Sequence, residues 1–162
     1  LKCVQRLQKD GFNFSLLLVG DGPILNNLME YAEELQITDY VTFLGQQSNP
    51  HAYVSKADVY ICSSTIEGYS TACTEAVMQG IPVLTTNCSG GQEIISEAGC
   101  GRIFGMDEDS IYNAMKEVLE NPDLITEWKE ILKTTRRNFS PEIRIKRFLN
   151  IVGYKDSINS RL

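Results

Sequence analysis

Histidine and tryptophan are almost missing from this chain: His51 and Trp128 are the only ones. The five cysteines (Cys3, Cys62, Cys73, Cys88 and Cys100) contain no C-x-x-C pair. One imidazole and no paired thiols leave no zinc-ligand set at the usual spacing. An odd number of scattered thiols suits a reducing compartment, so a cytoplasmic protein is expected. No G-x-S-x-G elbow is present, and a Ser-His-Asp triad would have to rest on His51 alone, beside Pro50. No apolar run approaches the ~18 residues of a membrane helix. The opening Leu1-Lys2-Cys3-Val4-Gln5-Arg6-Leu7 lacks the long apolar core and small-residue cleavage site of a signal peptide. It reads as a helix remnant, so the first strand of the domain is expected upstream of it.

What is present fits one soluble domain. The chain has 162 residues, 43% hydrophobic and 22% charged, which is enough to bury a core. Its net charge of -6 is uneven. Residues 1–128 hold six basic against eighteen acidic side chains, a charge of -12. Residues 129–162 hold nine against three, a charge of +6. An acidic body argues against nucleic acid as the main ligand. The basic end reads first as a solvated helix pair, and second as a contact for anionic lipid or another domain.

Short apolar runs alternate with helical periodicity. Strands are expected at Leu16–Val19, Val41–Gly45, Val59–Cys62, Pro82–Thr85 and Arg102–Phe104. Helices are expected at Ile24–Leu35, Ala52–Lys56 and Ser70–Gln79, then from about Asp109 to Leu119, Pro122 to Thr134 and Pro141 to Val152. Gly90 and Gly91 read as a loop before a helical turn at Glu93. The alternation predicts an α/β domain, a Rossmann-like doubly wound parallel sheet with helices on both faces. One domain spans 1–162, with C-terminal helices over 122–158. Trp128, Leu124, Ile131 and Leu132 share helical spacing and read as core. The last helix (Ile143, Ile145, Phe148, Leu149, Ile151, Val152) is strongly apolar and invites self-association if its face is open.

In such a sheet the ligand sits beyond the carboxyl ends of the strands. Gly20-Asp21-Gly22-Pro23 follows the first strand. It is no dinucleotide fingerprint, because Leu25 stands where the third glycine belongs, and no P-loop, because G-K-[ST] is absent. By itself it is a tight turn, with Pro23 able to open the next helix. After the third strand comes Ser63-Ser64-Thr65-Ile66-Glu67-Gly68-Tyr69-Ser70-Thr71-Ala72-Cys73-Thr74-Glu75-Ala76. Ser70 or Thr71 suits an N-cap. Cys73, Ala76, Val77 and Gly80 share one face, so the first-turn N–H groups open toward the ligand edge, where a phosphate could bind. Glu67 and Glu75 then face the same crevice. A carboxylate can accept from both hydroxyls of a ribose diol; equally, both acids could merely complement a helix N-terminus. Asp107-Glu108-Asp109 reads as first-turn acids rather than a metal motif.

Glu67 and Glu75 form an E-x7-E motif, followed by Gly80-Ile81-Pro82-Val83 and preceded by Val41-Thr42-Phe43-Leu44-Gly45 and Ala57-Asp58-Val59. This ordered set resembles the C-terminal, donor-binding half of retaining glycosyltransferases of the GT-B fold, in family four (glycosyl transferases group 1). The likeness runs from about Leu16 to Val118. It implies a catalytic-site role for Glu67 against the donor sugar. It implies that the backbone of Gly68, Tyr69 and Ser70, with Thr71 and Ala72, holds sugar hydroxyls and diphosphate. Glu75 would hold the ribose, Gln47 would flank the base in the Gly45-Gln46-Gln47 loop, and Gly20 and Gly22 would line the crevice. The substrate is a nucleotide diphosphate sugar, with no metal and no further cofactor. The partners implied are this donor, an N-terminal acceptor domain of the same polypeptide, and peripheral contact of the parent with the inner face of a membrane. The fragment itself is expected to lack turnover. The chain departs from the family pattern in carrying Ser63-Ser64 where relatives have Pro-Ser, and Ser89-Gly90-Gly91-Gln92-Glu93 where many have Gly-Gly-x-x-Glu. It also lacks the upstream Arg and Lys that neutralise the diphosphate. The alternative reading is a non-catalytic nucleotide-sensing or partner-docking module of the same fold, which would not need Glu67.

Overall fold

Parallel strands and covering helices alternate through the chain. The computed structural model describes residues 1–66 and 68–153. Glu67 and the stretch 154–158 of the expected C-terminal helices therefore lie outside the described residues. The strands are β1 (Leu16–Val19), β2 (Val41–Gly45), β3 (Tyr60–Cys62), β4 (Val83–Thr86) and β5 (Arg102–Phe104). The helices are α1 (Lys2–Lys9), α2 (Leu25–Glu34), α3 (His51–Val54), α4 (Thr71–Met78), α5 (Ser89–Ala98), α6 (Glu108–Glu120), α7 (Pro122–Thr135) and α8 (Pro141–Ile151), with a 3-10 turn at Arg136–Phe139 before α8.

All pairings are parallel, but the hydrogen-bonded strands form two groups rather than one sheet. β1 pairs with β2, and β3-β4-β5 form the other group. β4 has a neighbour on each side and is buried at all four positions. Its side chains pack with Cys73, Ala76 and Val77 of α4, Ile94 and Ala98 of α5, and Trp128 and Leu132 of α7. Phe139 and Leu132 are fully covered, and each such side chain contributes about 1.5–3 kcal/mol. The smaller core joins Cys3, Val4 and Leu7 of α1 to Ala32 and Ile37, Val41, and Tyr112 and Met115 of α6. Ile61 and Ile111 touch both cores.

Three expectations from the sequence change. Gly90 and Gly91 are not in a loop; they form the first turn of α5. A Cβ on Gly90 would lie 2.2 Å from the Gly68 oxygen, and one on Gly91 would lie 2.8 Å from the Thr86 oxygen. The pair is there for close approach, which a one-dimensional pattern reads as a turn. Pro23 lies in a turn before α2, whose first residue is Leu25 with Ile24 at the cap. Val59 and Pro82 fall outside their strands, and the Tyr60 N–H donates to the Pro82 oxygen at 2.9 Å just before β4 begins.

The acids at 107–109 have local partners. The Asp107 carboxylate accepts from the Ser110 N–H at 2.8 Å and its hydroxyl at 2.6 Å, capping α6. Arg6 of α1 pairs with Asp109 at 2.7 Å and Glu108 at 3.7 Å. The two Ser110 hydrogen bonds hold the Asp107 carboxyl below its ordinary 3.8. A lowered folded-state value means the stabilisation is complete above the unfolded value and is lost as pH falls through the folded one. Asp107→Ala should therefore lower Tm by about 2–4 °C at pH 7. The gap should narrow as the melts are taken to more acidic pH, through the lowered folded-state value, where the wild-type acid also takes up its proton; a gap that does not narrow would count against the cap.

Among the described residues none of the five cysteines is in a disulfide, and all five are buried. Burial pushes the Cys100 thiol up to about 11. At pH 8 iodoacetamide should label none of the five in the native chain and all five in urea, as read by intact mass. Rapid native labelling of Cys100 would contradict its burial. Among the described residues no helix is long and apolar enough to cross a membrane. On α8, Ile145, Phe148, Ile151 and Val152 are exposed, so the apolar face expected there is open.

Candidate functional site

Parallel pairing sends every strand end to one edge, and the loops that follow gather there. On the β1–β2 side, Gly20 has a φ of +133° and Gly45 one of +62°, conformations that favour glycine. The Gly20 N–H donates to the Gly45 oxygen at 2.8 Å, which ties the two exit turns together. Gly22 is exposed beside it, its N–H held by the Asp21 carboxylate at 2.7 Å. Gln47 is half-buried; its amide donates to the Leu44 oxygen at 2.6 Å and accepts from the Tyr53 hydroxyl at 3.1 Å. These bonds fix the side chain in the loop and leave it one further N–H.

On the other side β3 opens into the Ser63–Ser70 stretch. Ser70 is the N-cap of α4: its buried hydroxyl accepts from the Cys73 N–H at 3.4 Å, and its carbonyl accepts from the Thr74 hydroxyl at 2.9 Å. Thr71 and Ala72 are exposed at the first two helical positions, where N–H groups have no intrahelical acceptor. The helix therefore opens with first-turn donors that no intrahelical carbonyl takes up and with a positive dipole end, at the edge where a ligand would arrive. Glu75 is half-buried on the next turn. Among the described residues its carboxylate has no hydrogen-bond or ion-pair partner in the hydrogen-bond and salt-bridge network, so it keeps its acceptors. Gly68 is exposed and Tyr69 half-buried. The Tyr69 ring packs on the larger core under the Arg144 guanidinium, 4.5 Å from the ring centre. Burial pushes its phenol up.

Three residues the sequence reading missed hold this loop. The Thr86 hydroxyl donates to the Ser64 oxygen, fastening the β3 exit to the end of β4. Gly90 lets α5 press against the backbone of Gly68 and Tyr69. Arg144 brings α8 onto the Tyr69 ring. The paired glycines were the one available signal; Thr86 and Arg144 act across distant chain segments and leave no local pattern. Glu93 is exposed on α5.

The family model for glycosyl transferases group 1 matches residues 1–135. Over 149 residues the chain is 27% identical to the Campylobacter jejuni N-acetylgalactosamine-N,N'-diacetylbacillosaminyl-diphospho-undecaprenol 4-alpha-N-acetylgalactosaminyltransferase, covering 91% of this chain and 40% of that protein. It is 30% identical over 118 residues to the Streptococcus pneumoniae alpha-monoglucosyldiacylglycerol synthase, covering 72% of this chain and 27% of that one. The solved structure of Anabaena Alr3699/HepE in complex with UDP has the same fold, with a TM-score of 0.78 at 16% identity over 95% of this chain and 45% of that one. The chain thus spans less than half the length of these relatives. With a family match over most of its length and a parallel α/β fold that its relatives share, this chain belongs to the glycosyl transferases group 1 family.

Proposed function

We propose that this chain is the donor-binding domain of a retaining glycosyltransferase. The full-length enzyme moves a hexose from a nucleotide diphosphate sugar to a hydroxyl acceptor, in polysaccharide or glycolipid assembly at the inner face of a membrane. The observation that carries this reading is the α4 terminus, where the first-turn N–H groups of Thr71 and Ala72 have no intrahelical acceptor and stand one turn from the half-buried Glu75, whose carboxylate has no partner among the described residues. The donors suit a diphosphate and the carboxylate suits the two hydroxyls of a ribose. The UDP bound in the Anabaena relative supports a nucleotide ligand for this fold.

The mechanism follows from that division. The acceptor hydroxyl oxygen forms a bond to the anomeric carbon on the face the diphosphate leaves. The bond from that carbon to the diphosphate oxygen breaks, and the oxygen keeps the electron pair and takes the hydroxyl proton. Helix-terminal N–H groups stabilise the departing charge, without metal. Glu67 lies against the sugar in this reading, Gly20 and Gly22 wall the crevice, and Gln47 flanks the base. The 162-residue chain alone lacks turnover, because the acceptor side of the site belongs to another domain.

Nucleotide and sugar roles separate in a titration of the full-length enzyme with UDP, GDP and ADP and with their glucose, mannose and N-acetylglucosamine forms. Glu67→Ala should leave the free nucleotide at its wild-type Kd and weaken the nucleotide sugar about tenfold or more. Equal losses for both ligands would remove Glu67 from the sugar. Unchanged binding of both ligands, in a full-length protein that shows no turnover, would favour the non-catalytic module that does not use this acid.

A further inference from the structure

Tyr69 is the residue through which α8 reaches the α4 terminus. Its peptide leads directly into Ser70, the cap. The Ser70 hydroxyl accepts from the Cys73 N–H at 3.4 Å, and its carbonyl accepts from the Thr74 N–H at 3.1 Å. The Thr74 hydroxyl donates to that same carbonyl at 2.9 Å. The Thr74 side chain also meets the Tyr69 phenol. A shift of the Tyr69 ring therefore reaches the cap twice, through one peptide and through Thr74. Upstream of the ring Thr65, Ile66 and Gly68 are exposed. On the other side of the contact, α8 has no buried residue of its own. Two cations attach it. The Arg147 guanidinium pairs with Glu97 of α5, and the Arg144 guanidinium lies 4.5 Å from the centre of the Tyr69 ring. Arg147 thus meets a helix, whereas Arg144 meets the segment that enters α4.

From this geometry we infer that Arg144 is a positioning residue for the α4 terminus. By holding the Tyr69 ring it keeps the Ser70 cap, and the first-turn N–H groups that follow it, in the arrangement that receives an anionic ligand. The ligand half of this inference rests on the donor reading above. Arg144 touches no substrate in this account; it acts through Tyr69. A cation over an aromatic ring at an exposed site is worth a preference of about two- to fivefold. Without it the cap spends more time in other arrangements. Apparent affinity then falls by the fraction of the protein that stays competent to bind. The same loosening shows in the cap hydrogen bonds before any ligand is added.

Three variants of the full-length protein test this, by amide hydrogen exchange and by titration with UDP, GDP and ADP. The Cys73 and Thr74 amides report the cap directly, because both bond to Ser70. Arg144→Gln should speed their exchange about two- to fivefold and raise the nucleotide Kd by a similar factor. Arg144 is exposed, so the fold should survive the change. Arg144→Lys keeps a cation over the ring and should recover most of both effects. Arg147→Gln releases α8 from Glu97 without altering the ring contact and should leave both near wild type. Wild-type exchange at Cys73 and Thr74 in Arg144→Gln would overturn the inference. So would equal effects of Arg144→Gln and Arg147→Gln, since the seating of α8 as a whole would then set the cap. A wild-type protein that binds none of the three nucleotides would overturn the donor reading, while faster Cys73 exchange in Arg144→Gln would still support the positioning role.

Discussion

Gly90→Ala should cost the domain about 3 kcal/mol or more, near or above the upper end of overpacking effects. The alanine Cβ would lie 2.2 Å from the Gly68 oxygen, 2.7 Å from its carbonyl carbon and 2.8 Å from the Tyr69 Cα. All three are backbone atoms, so no side chain can turn aside. Either α5 retreats from β4, opening the core around Ile94, or the 68–69 backbone moves. The second response displaces the peptide that leads into the α4 cap. Nucleotide binding should therefore fall along with stability. Gly22→Ala is the stability control, because nothing lies within 4 Å of a Cβ there. Urea denaturation of both variants checks the claim. A Gly90→Ala midpoint within error of wild type would mean that α5 and the 68–69 backbone do not pack as closely as described.

Glu75→Ala should weaken nucleotide binding by about 1.5–3 kcal/mol, the scale of hydrogen bonds to a charged group. That is a rise in Kd of roughly 10- to 150-fold. The same substitution should barely alter folding. Glu75 is half-buried and, among the described residues, has no partner whose loss would leave a buried group unsatisfied. The combination separates a ligand acid from a structural one. Isothermal titration with the preferred nucleoside diphosphate gives the first number and a thermal melt the second. A large fall in Tm with unchanged Kd would make Glu75 structural and remove it from the ribose.

Much of this protein was legible in one dimension because its strands are short, continuous and apolar. Leu16–Val19 and Val41–Gly45 could be bounded without coordinates, and β1 and β2 carry those limits. Ser70 was one of two cap candidates; its hydroxyl on the Cys73 N–H decides for it. The face of Cys73, Ala76 and Val77 was legible from spacing and is buried. The glycines failed the same method. Gly20 and Gly45 are glycine for a positive φ, whereas Gly90 and Gly91 are glycine because a neighbouring backbone leaves no room. Composition does not distinguish these causes.

The sequence by itself determined the α/β class, the parallel pairing, the two neighbouring candidates for the α4 cap and the acids considered for the ligand. Each of these depends on residues within a turn or two, where periodicity and capping chemistry act. Tertiary structure alone decided that the hydrogen-bonded strands divide between β1 and β3, that α5 abuts the backbone of Gly68, and that Arg144 lies over Tyr69. Those contacts join segments 22 to 75 residues apart. Their energies come from close approach and excluded space, which no local spacing records.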